Sequence, residues 1–445
     1  MDSEIFEKLS PTKIFFRCAI PTMITSVFGA LYSMADGFFV GRFVGEEALA
    51  AVNIVMPIIM IAFALSDMIA AGSSAHISVL LGQHEREKAS LVFSFSLKMI
   101  FFFSCVIGVI GYFGADSLIA LLAKGATEQT VDYCVTYLKV YILFAPLLPV
   151  YFATDNYLRV CGKEKLSMWI AILTQLLNVV LDVILIAVFG MGVWAAAFTS
   201  CVSMALGSVI TVLLFVGKRQ DLYFVRGKLS PAEIFRIAAN GFSEFFENIA
   251  MSVMSLVLNF YLLFYGGTTA VAAMSVVMYV DSVVGMLGFG MCSSLQPAIS
   301  YCYGTGNLRK VRQIFLRGVT AKVVISAVSL VTLFFFGSAL TPIFVREEST
   351  ELIGMSVSAM QWFAFSYLFG WIDSSVSSLF TALEKAGRSL VISVFGSLFF
   401  PIGFLAVFAA VWGLDGIWAM PVASAFAGAI VAILLVRPLW KELRS

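Results

Sequence analysis

GEEALAAVNIVM, residues 45–56, lies over GTTAVAAMSVVM, residues 267–278, at a shift of 222. Without any gap the same shift pairs Leu65 with Leu287, Ile77 and Ser78 with Ile299 and Ser300, and Gly82 with Gly304. It also pairs Lys88 with Lys310 and Phe93 with Phe315. Twelve identities in those 49 positions is several times the chance level. Further along, GMGVWAAAFTS (190–200) matches GLDGIWAMPVAS (413–424) with one inserted residue. The chain is a duplication, and its fold follows from what one copy contains.

One copy contains membrane spans. Of the 445 residues 60% are hydrophobic and 12% charged, against about 25% charged in soluble domains, and the mean hydropathy is +0.97. Runs of about 20 apolar residues fall near 14–40, 49–71, 91–113, 134–158, 168–189, 192–216, 238–264, 270–295, 317–337, 357–381, 389–411 and 415–437. Each copy therefore holds six. Because six is even, both copies enter the membrane in the same direction, which predicts a pseudo-two-fold axis along the membrane normal and a central cavity. The expected fold is an all-α membrane protein of twelve transmembrane helices in two six-helix bundles. Residues 1–216 form the first bundle, 217–237 (beginning GKRQDLYFVRGKLSPAE) a cytoplasmic linker, and 238–445 the second bundle.

Basic residues set the orientation. With the N-terminus inside, the cytoplasmic side holds 24 of the 28 Lys and Arg, leaving only Arg42, Lys124, Lys139 and Arg346 outside. Both termini are therefore expected in the cytoplasm. The polar N-terminus MDSEIFEKLSPTK has no cleavable signal pattern. A net charge of +1 and the lack of basic tracts with interleaved aromatics give no argument for a nucleic-acid partner. Seven cysteines without a CxxC and only two histidines, His76 and His84, give poor support for a zinc site, a Cys–His nucleophile or a disulfide framework. Neither an enzyme nor a cofactor is indicated, and the partners expected are the lipid bilayer and a small transported molecule.

Polar groups inside the spans are the informative exceptions. Asp36, in LYSMADGFFVGR (31–42), sits within the first apolar run with Tyr32 one turn earlier. An ionised carboxylate there costs roughly 2.5–3.5 kcal/mol on insertion scales. Asn178 and Asp182 share a face of span 5, which Gln175 and Thr174 extend. Span 6 runs back inward from Gly192 and carries Thr199 and Ser200 about two turns down. All these groups fall at similar depth in the outer half of one bundle. Two carboxylates with an amide and a hydroxyl can hold a hard cation such as Na+. Two carboxylates facing each other in a desolvated cleft equally make a proton carrier. A hydrogen-bonded network that only ties the bundle together is the alternative. At the shift of 222 Asp36 corresponds to Leu258, and the span 5 pair falls near Pro401 and Leu405, so the second copy lacks the cluster.

The second copy has acids of its own. Glu244 and Glu247 lie on span 7, and Asp373 lies on span 10 with Ser377 and Thr381 following at helical spacing. Asp373, Glu244, Gln175 and Asn156 are the candidates for the substrate cavity, while Glu247, Asp155, Asp281 and Asp67 read as structural. The 19 Met and 42 Phe suit lipid-facing and packing roles, and some of them suit adaptable binding surfaces.

The segments MADGFFVGRFVGEEALAAVN (34–53), LRVCGK (158–163), NVVLDVILIAVFGMGVWAAAFTS (178–200) and QPAISYCYGTGN (296–307) resemble those of the MATE (multidrug and toxic compound extrusion) transporters. The resemblance covers essentially the whole chain and is nearer the DinF/MepA-like bacterial branch than the NorM-like one. It implies a monomeric antiporter of the bacterial inner membrane that exports organic cations or amphipathic compounds in exchange for H+ or Na+. It also implies that Asp36, Asn178 and Asp182, with Tyr32 nearby, bind the coupling cation. The family's span 6 threonine aligns with Ser200, while Thr199 sits one residue earlier, so either hydroxyl could take part. A glutamate of the NorM-like branch would fall near Met251, and Asp373 resembles an acid of that branch. Three other readings fit less well. A lipid-linked oligosaccharide flippase of the same superfamily conflicts with the acidic character of the intramembrane charges. A membrane-embedded enzyme lacks a nucleophile or metal constellation, and a channel lacks a filter-like break or ring motif.

Overall fold

The structure, a computed structural model, describes residues 3–123, 126–217, 220–344 and 350–443. Of the basic residues that set the expected orientation, Lys124 and Arg346 lie outside the described residues, as do Lys218 and Arg219 of the linker. The described residues are nearly all helical and contain no strand. After a single turn at Ile5–Lys8 come α1 (Pro11–Phe39), α2 (Glu46–Gly82), α3 (Arg86–Leu122), α4 (Glu128–Leu143) and α5 (Leu148–Val160). Then follow α6 (Glu164–Asp182), α7 (Gly192–Leu214), α8 (Pro231–Gly304), α9 (Leu308–Phe344) and α10 (Thr350–Ser366). The chain ends with α11 (Gly370–Ala382), α12 (Ala386–Val394), α13 (Phe400–Trp412) and α14 (Leu414–Glu442).

Among the described residues nine helical stretches are long and apolar enough to cross a membrane, and two bent pairs bring the number to eleven. The pairs are α4–α5, bent by 52°, and α10–α11, bent by 47°. The remaining difference from twelve lies in α8, a 74-residue run broken at Gly267, where φ is 63° and ψ is −160°. No L-residue takes that conformation readily, so Gly267 is a turn between two spans rather than a point within one. Divided there, the described residues contain twelve segments of membrane length.

The duplication is written in the backbone as well as in the residue types. Left-handed φ recurs at Gly45 and Gly267, at His84 and Gly306, and at Gly162 and Glu384, each pair 222 apart. A fourth pair, Gly190 and Gly413, is 223 apart, as the inserted residue between those two segments requires. The helix bends recur too, at residues 144–147 and 367–369.

The chain divides into two compact units, Met1–Leu9 with Ile20–Phe245, and Ser10–Ala19 with Phe246–Ser445. The stretch at 45–56 shows why each holds together. Ala48, Ala51 and Val55 point from one face of α2 into the first unit's core beside Ile119, Tyr137, Ile186 and Ala195–Ala197. Their counterparts Ala270, Ala273 and Val277 do the same in the second unit beside Leu333, Met360, Leu405 and Trp418. Small residues at this spacing let helices approach closely, which matters where lipid removes the hydrophobic drive for association. Larger apolar groups face outward, with Phe113 and Phe264 80% and 74% exposed.

In the first unit Gly72 of α2 and Gly241 of α8 mark a crossing of bare backbones. A Cβ on Gly72 would collide with the Ile237 carbonyl oxygen, and one on Gly241 with that of Met68. The described part of the linker is strapped to this same unit. Arg86 donates from Nε to the Asp221 carbonyl at 2.8 Å and from Nη2 to that of Gln220 at 2.5 Å. Ser94 Oγ accepts from the Val225 amide at 2.8 Å, and the Ser3 amide donates to Asp221 Oδ2 at 2.7 Å. Helix α8 then begins with a capping box. The Ser230 amide donates to Glu233 Oε2 at 2.9 Å, and the Glu233 amide to Ser230 Oγ at 3.3 Å.

Candidate functional site

Three helices of the first unit meet at the polar residues of spans 1, 5 and 6. Asn178 of α6 donates from Nδ2 to Ser200 Oγ of α7 at 3.1 Å, and that oxygen lies 3.2 Å from the Tyr32 hydroxyl of α1. One residue earlier on α7, Thr199 Oγ1 donates to Asp182 Oδ1 at 2.5 Å. Asp36 and Asp182 are within electrostatic reach of each other and of Tyr32. The candidates Tyr32, Asp36, Asn178, Asp182, Thr199 and Ser200 thus form one cluster. The two hydroxyls both take part, each with its own partner, because neighbouring helical residues point about 100° apart.

The cluster is buried on its α6 and α7 side, while Tyr32 and Asp36 of α1 are half-buried, and it leaves oxygen atoms unused. Asp182 and Thr199 have no exposed surface, and Asn178 and Ser200 are 2% and 1% exposed. Asp36 Oδ1, Asn178 Oδ1 and Asp182 Oδ2 are each buried without a hydrogen-bond partner. Buried acceptors are ordinarily paired, and three idle ones among six clustered side chains make a site short of positive charge. The donor set is two carboxylates with amide and hydroxyl oxygens. That set suits a proton or a hard cation, since sulfur and imidazole ligands are absent from it.

Gln175, one turn before Asn178, lies on the same side. Its Nε2 would be 3.6 Å from a Cβ on Gly29 of α1, and its Oε1 is also unpartnered. Asn156 is half-buried on α5 and makes no hydrogen bond to the cluster. Tyr137 and Tyr141 of α4 were not picked out by sequence reasoning. Their rings stack with centroids 5.0 Å apart, and Asp36 and Tyr32 act electrostatically on Tyr137. The available signal was their i,i+4 spacing in an apolar span, the same spacing as Tyr32 and Asp36.

The helices that carry the two acids both change winding just beyond them. The turn Val40–Val44 follows α1 and Val183–Val188 follows α6, both as π-helix, and the two turns pack on one another. Such widened turns concentrate at functional sites because they break the regular ladder and re-aim the side chains around them. At the corresponding places in the second unit, 262–266 and 406–411, the winding stays α-helical, and the π-helical turn of that span comes earlier, at Phe395–Phe399. There the cluster's counterparts are apolar: Leu405 is fully buried in the core, and Leu258 packs against it.

The second unit gathers its acids differently. Asp373 Oδ1 accepts from the Ser374 amide at 2.6 Å, and a Cβ on Gly396 or Gly428 would lie 3.2 Å from its Oδ2. Lys322 Nζ donates to Ser374 Oγ at 2.7 Å, and its charge acts on both Asp373 and Glu247. Ser393 Oγ donates to Glu247 Oε1 at 2.5 Å, and hydroxyl contacts link Ser393 to Ser377 at 3.4 Å, Ser377 to Ser389 at 3.0 Å and Ser389 to Thr381 at 2.8 Å. Sequence reasoning found Asp373, Ser377 and Thr381 in this seam but missed Lys322, and it set Glu247 aside as structural. Glu244 is half-buried three residues earlier on α8. Two of the acids read as structural have matching partners. Asp155 pairs with Arg159 Nη2 at 2.6 Å, and Asp281 accepts from the Tyr367 hydroxyl at 2.5 Å.

Known proteins fit this arrangement. The pattern of the MatE family matches residues 21–184 and again 245–407, once in each copy. Multidrug export protein MepA of Staphylococcus saprophyticus subsp. saprophyticus is 27% identical over 442 residues, 97% of this chain and 94% of its own. Among solved structures, the outward-facing conformation of a multidrug resistance MATE family transporter of the MOP superfamily is similar with a TM-score of 0.93. It is 24% identical and covers 100% of this chain and 98% of its own. A MOP superfamily transporter from Pyrococcus furiosus, whose reversed binding-pocket polarity suggests a different function, has the same TM-score, identity and coverage. These two likenesses speak for the fold, and the doubled pattern speaks for the family. With both copies matched, the chain belongs to the MatE family.

Proposed function

We propose that the chain is a secondary antiporter that exports organic cations or amphipathic drugs in exchange for H+ or Na+. Its coupling cation is held in the first six-helix bundle by Asp36, Asn178 and Asp182, with Tyr32, Thr199 and Ser200 fixing the geometry. The observation that carries this reading is the set of unpartnered buried oxygens on Asp36, Asn178 and Asp182. A purely structural network would pair them. Neutralising the cluster would favour a different packing of α1, α6 and α7, and so release substrate from a central cavity by alternating access. The family, whose members move solutes rather than catalyse reactions, and the multidrug exporter among its relatives support the choice of drug-like substrates.

In this reading residues 1–216 and 238–445 are the two bundles, 217–237 is a cytoplasmic linker, and both termini face the cytoplasm of a bacterial cell. The protein works as a monomer. Asp373, Gln175, Asn156 and Glu244 contribute to the substrate cavity. Accumulation of a fluorescent organic cation in inverted vesicles, driven in turn by a pH gradient and by a sodium gradient, tests the proposal. One gradient should drive accumulation that an ionophore collapses; accumulation that needs neither gradient would overturn it.

A further inference from the structure

The second unit holds a cavity of about 770 Å³ between α9, α11 and α14, and none of the residues lining it belongs to the cluster of spans 1, 5 and 6. Its depth is apolar: Val319, Ile372, Val376 and Ile433 line it, with the Trp371 ring. Its mouth is basic and aromatic, formed by Arg437, Trp440 and Lys441 in the last two turns of α14. Arg312, in the second turn of α9, stacks over the Trp440 ring at 5.4 Å, and its Nε is buried without a hydrogen-bond partner.

Charge and depth point the same way. Among the described residues no acid lines the cavity, and the nearby Glu442 is already paired with Lys385 at 3.1 Å. Two positive charges, Arg437 and Lys441, therefore line the mouth, and Arg312 adds a third behind the Trp440 ring. Ile433 lies nine residues before the end of α14 and Val319 eleven after the start of α9. At 1.5 Å per residue the apolar part reaches about 13–16 Å inward from the helix ends. A groove with a basic, tryptophan-bearing mouth at the helix ends and an apolar interior has the profile of a lipid standing in its leaflet.

We propose that this cavity binds an anionic glycerophospholipid. Its phosphate is held by Arg437, Lys441 and Arg312, and its acyl chains lie along Val319, Val376 and Ile433. A free phosphate would leave the apolar volume unfilled, and a zwitterionic lipid would leave the basic mouth uncompensated. The proposal does not depend on which cation drives transport.

The test uses the full chain in nanodiscs, with Trp169, Trp194, Trp362, Trp412 and Trp418 replaced by Phe so that only Trp371 and Trp440 report. Phosphatidylglycerol or phosphatidylcholine carrying brominated acyl chains is added as a minor component to unbrominated phosphatidylcholine. The brominated anionic lipid should quench the two tryptophans as though enriched at least about fivefold, the factor expected for one basic side chain at a membrane surface. The double variant Arg437→Ala with Lys441→Ala should lose that preference, and Arg437→Lys with Lys441→Arg should keep it, which separates lost charge from lost folding. Equal quenching by the two lipids would overturn the proposal. So would a preference abolished by inorganic phosphate alone, which would mark a site for soluble anions.

Discussion

Ser200→Ala tests the cluster at its junction. The Ser200 hydroxyl meets Asn178 Nδ2 at 3.1 Å and the Tyr32 hydroxyl at 3.2 Å, so one oxygen ties α1, α6 and α7 together. Removing it leaves almost no cavity, since a single oxygen atom is lost, but it deletes two hydrogen bonds and strands a buried amide donor. Each net bond is worth about 1 kcal/mol, and an orphaned buried donor costs about 1–3 kcal/mol. If about 1–2 kcal/mol of that loss falls on the geometry that receives the cation, half-saturation for the driving cation rises roughly 5- to 30-fold. The assay is dye export by proteoliposomes as a function of driving-cation concentration, with the amount of folded protein matched. The account expects a raised half-saturation and a nearly unchanged maximal rate, because the charges of Asp36 and Asp182 remain. A half-saturation within twofold of wild type would refute the claim that Ser200 organises the site.

Other substitutions probe separate parts of the argument. Asp36→Asn should abolish cation-coupled efflux while expression stays normal; dye export at the wild-type rate in vesicles would count against the mechanism. Thr199→Val removes the 2.5 Å bond to Asp182. A hydrogen bond to a charged group is worth about 1.5–3 kcal/mol, so this variant should lower thermal stability in detergent more than Thr→Val at an exposed site does. His84→Gly relieves a left-handed residue with φ of 60°. That conformation costs an L-residue about 1–2 kcal/mol, partly offset by the roughly 0.5–1 kcal/mol of glycine's greater freedom when unfolded. The variant should therefore gain up to about 1.5 kcal/mol in a thermal-unfolding comparison, whereas Gly306→His should lose stability. Gly241→Ala places a methyl group against the Met68 carbonyl oxygen and should cost about 1–3 kcal/mol or more, read as a lower yield of monodisperse protein after heating.

Much of the architecture was legible because a membrane simplifies the code. Twelve apolar runs, a six-span repeat and the face Ala48, Ala51, Val55 with its copy Ala270, Ala273, Val277 are periodic local features, and the structure buries both faces. The inserted residue between the last matching segments reappears as the step from 222 to 223 in the left-handed residues. The cluster of Asp36, Asn178 and Asp182 could be read because carboxylates in an apolar run are costly and topology fixes their depth. Three features were not legible. The π-helical turns after Asp36 and Asp182 pack on one another across the fold, and the sequences VGRFV and VILIAV carry no local signal for them. Lys322 counted only as a basic residue near the cytoplasmic edge, since its neighbours Ser374, Asp373 and Glu247 are 51 to 75 residues away in the chain. Which of Thr199 and Ser200 mattered was open because spacing alone cannot say where each hydroxyl finds a partner. The answer is that each finds a different one.

The central claim is that a cation sits among the idle oxygens of Asp36, Asn178 and Asp182 and leaves when the transport cycle turns. The most direct measurement is the release of protons, or of radioactive sodium, from purified protein when it is titrated with a fluorescent organic cation. The account predicts that wild type releases cations in a fixed ratio to dye bound. Asp36→Asn and Asp182→Asn should still bind dye but release less or none. Equal release by wild type and both variants would contradict it, because the coupling cation would then be bound elsewhere in the chain.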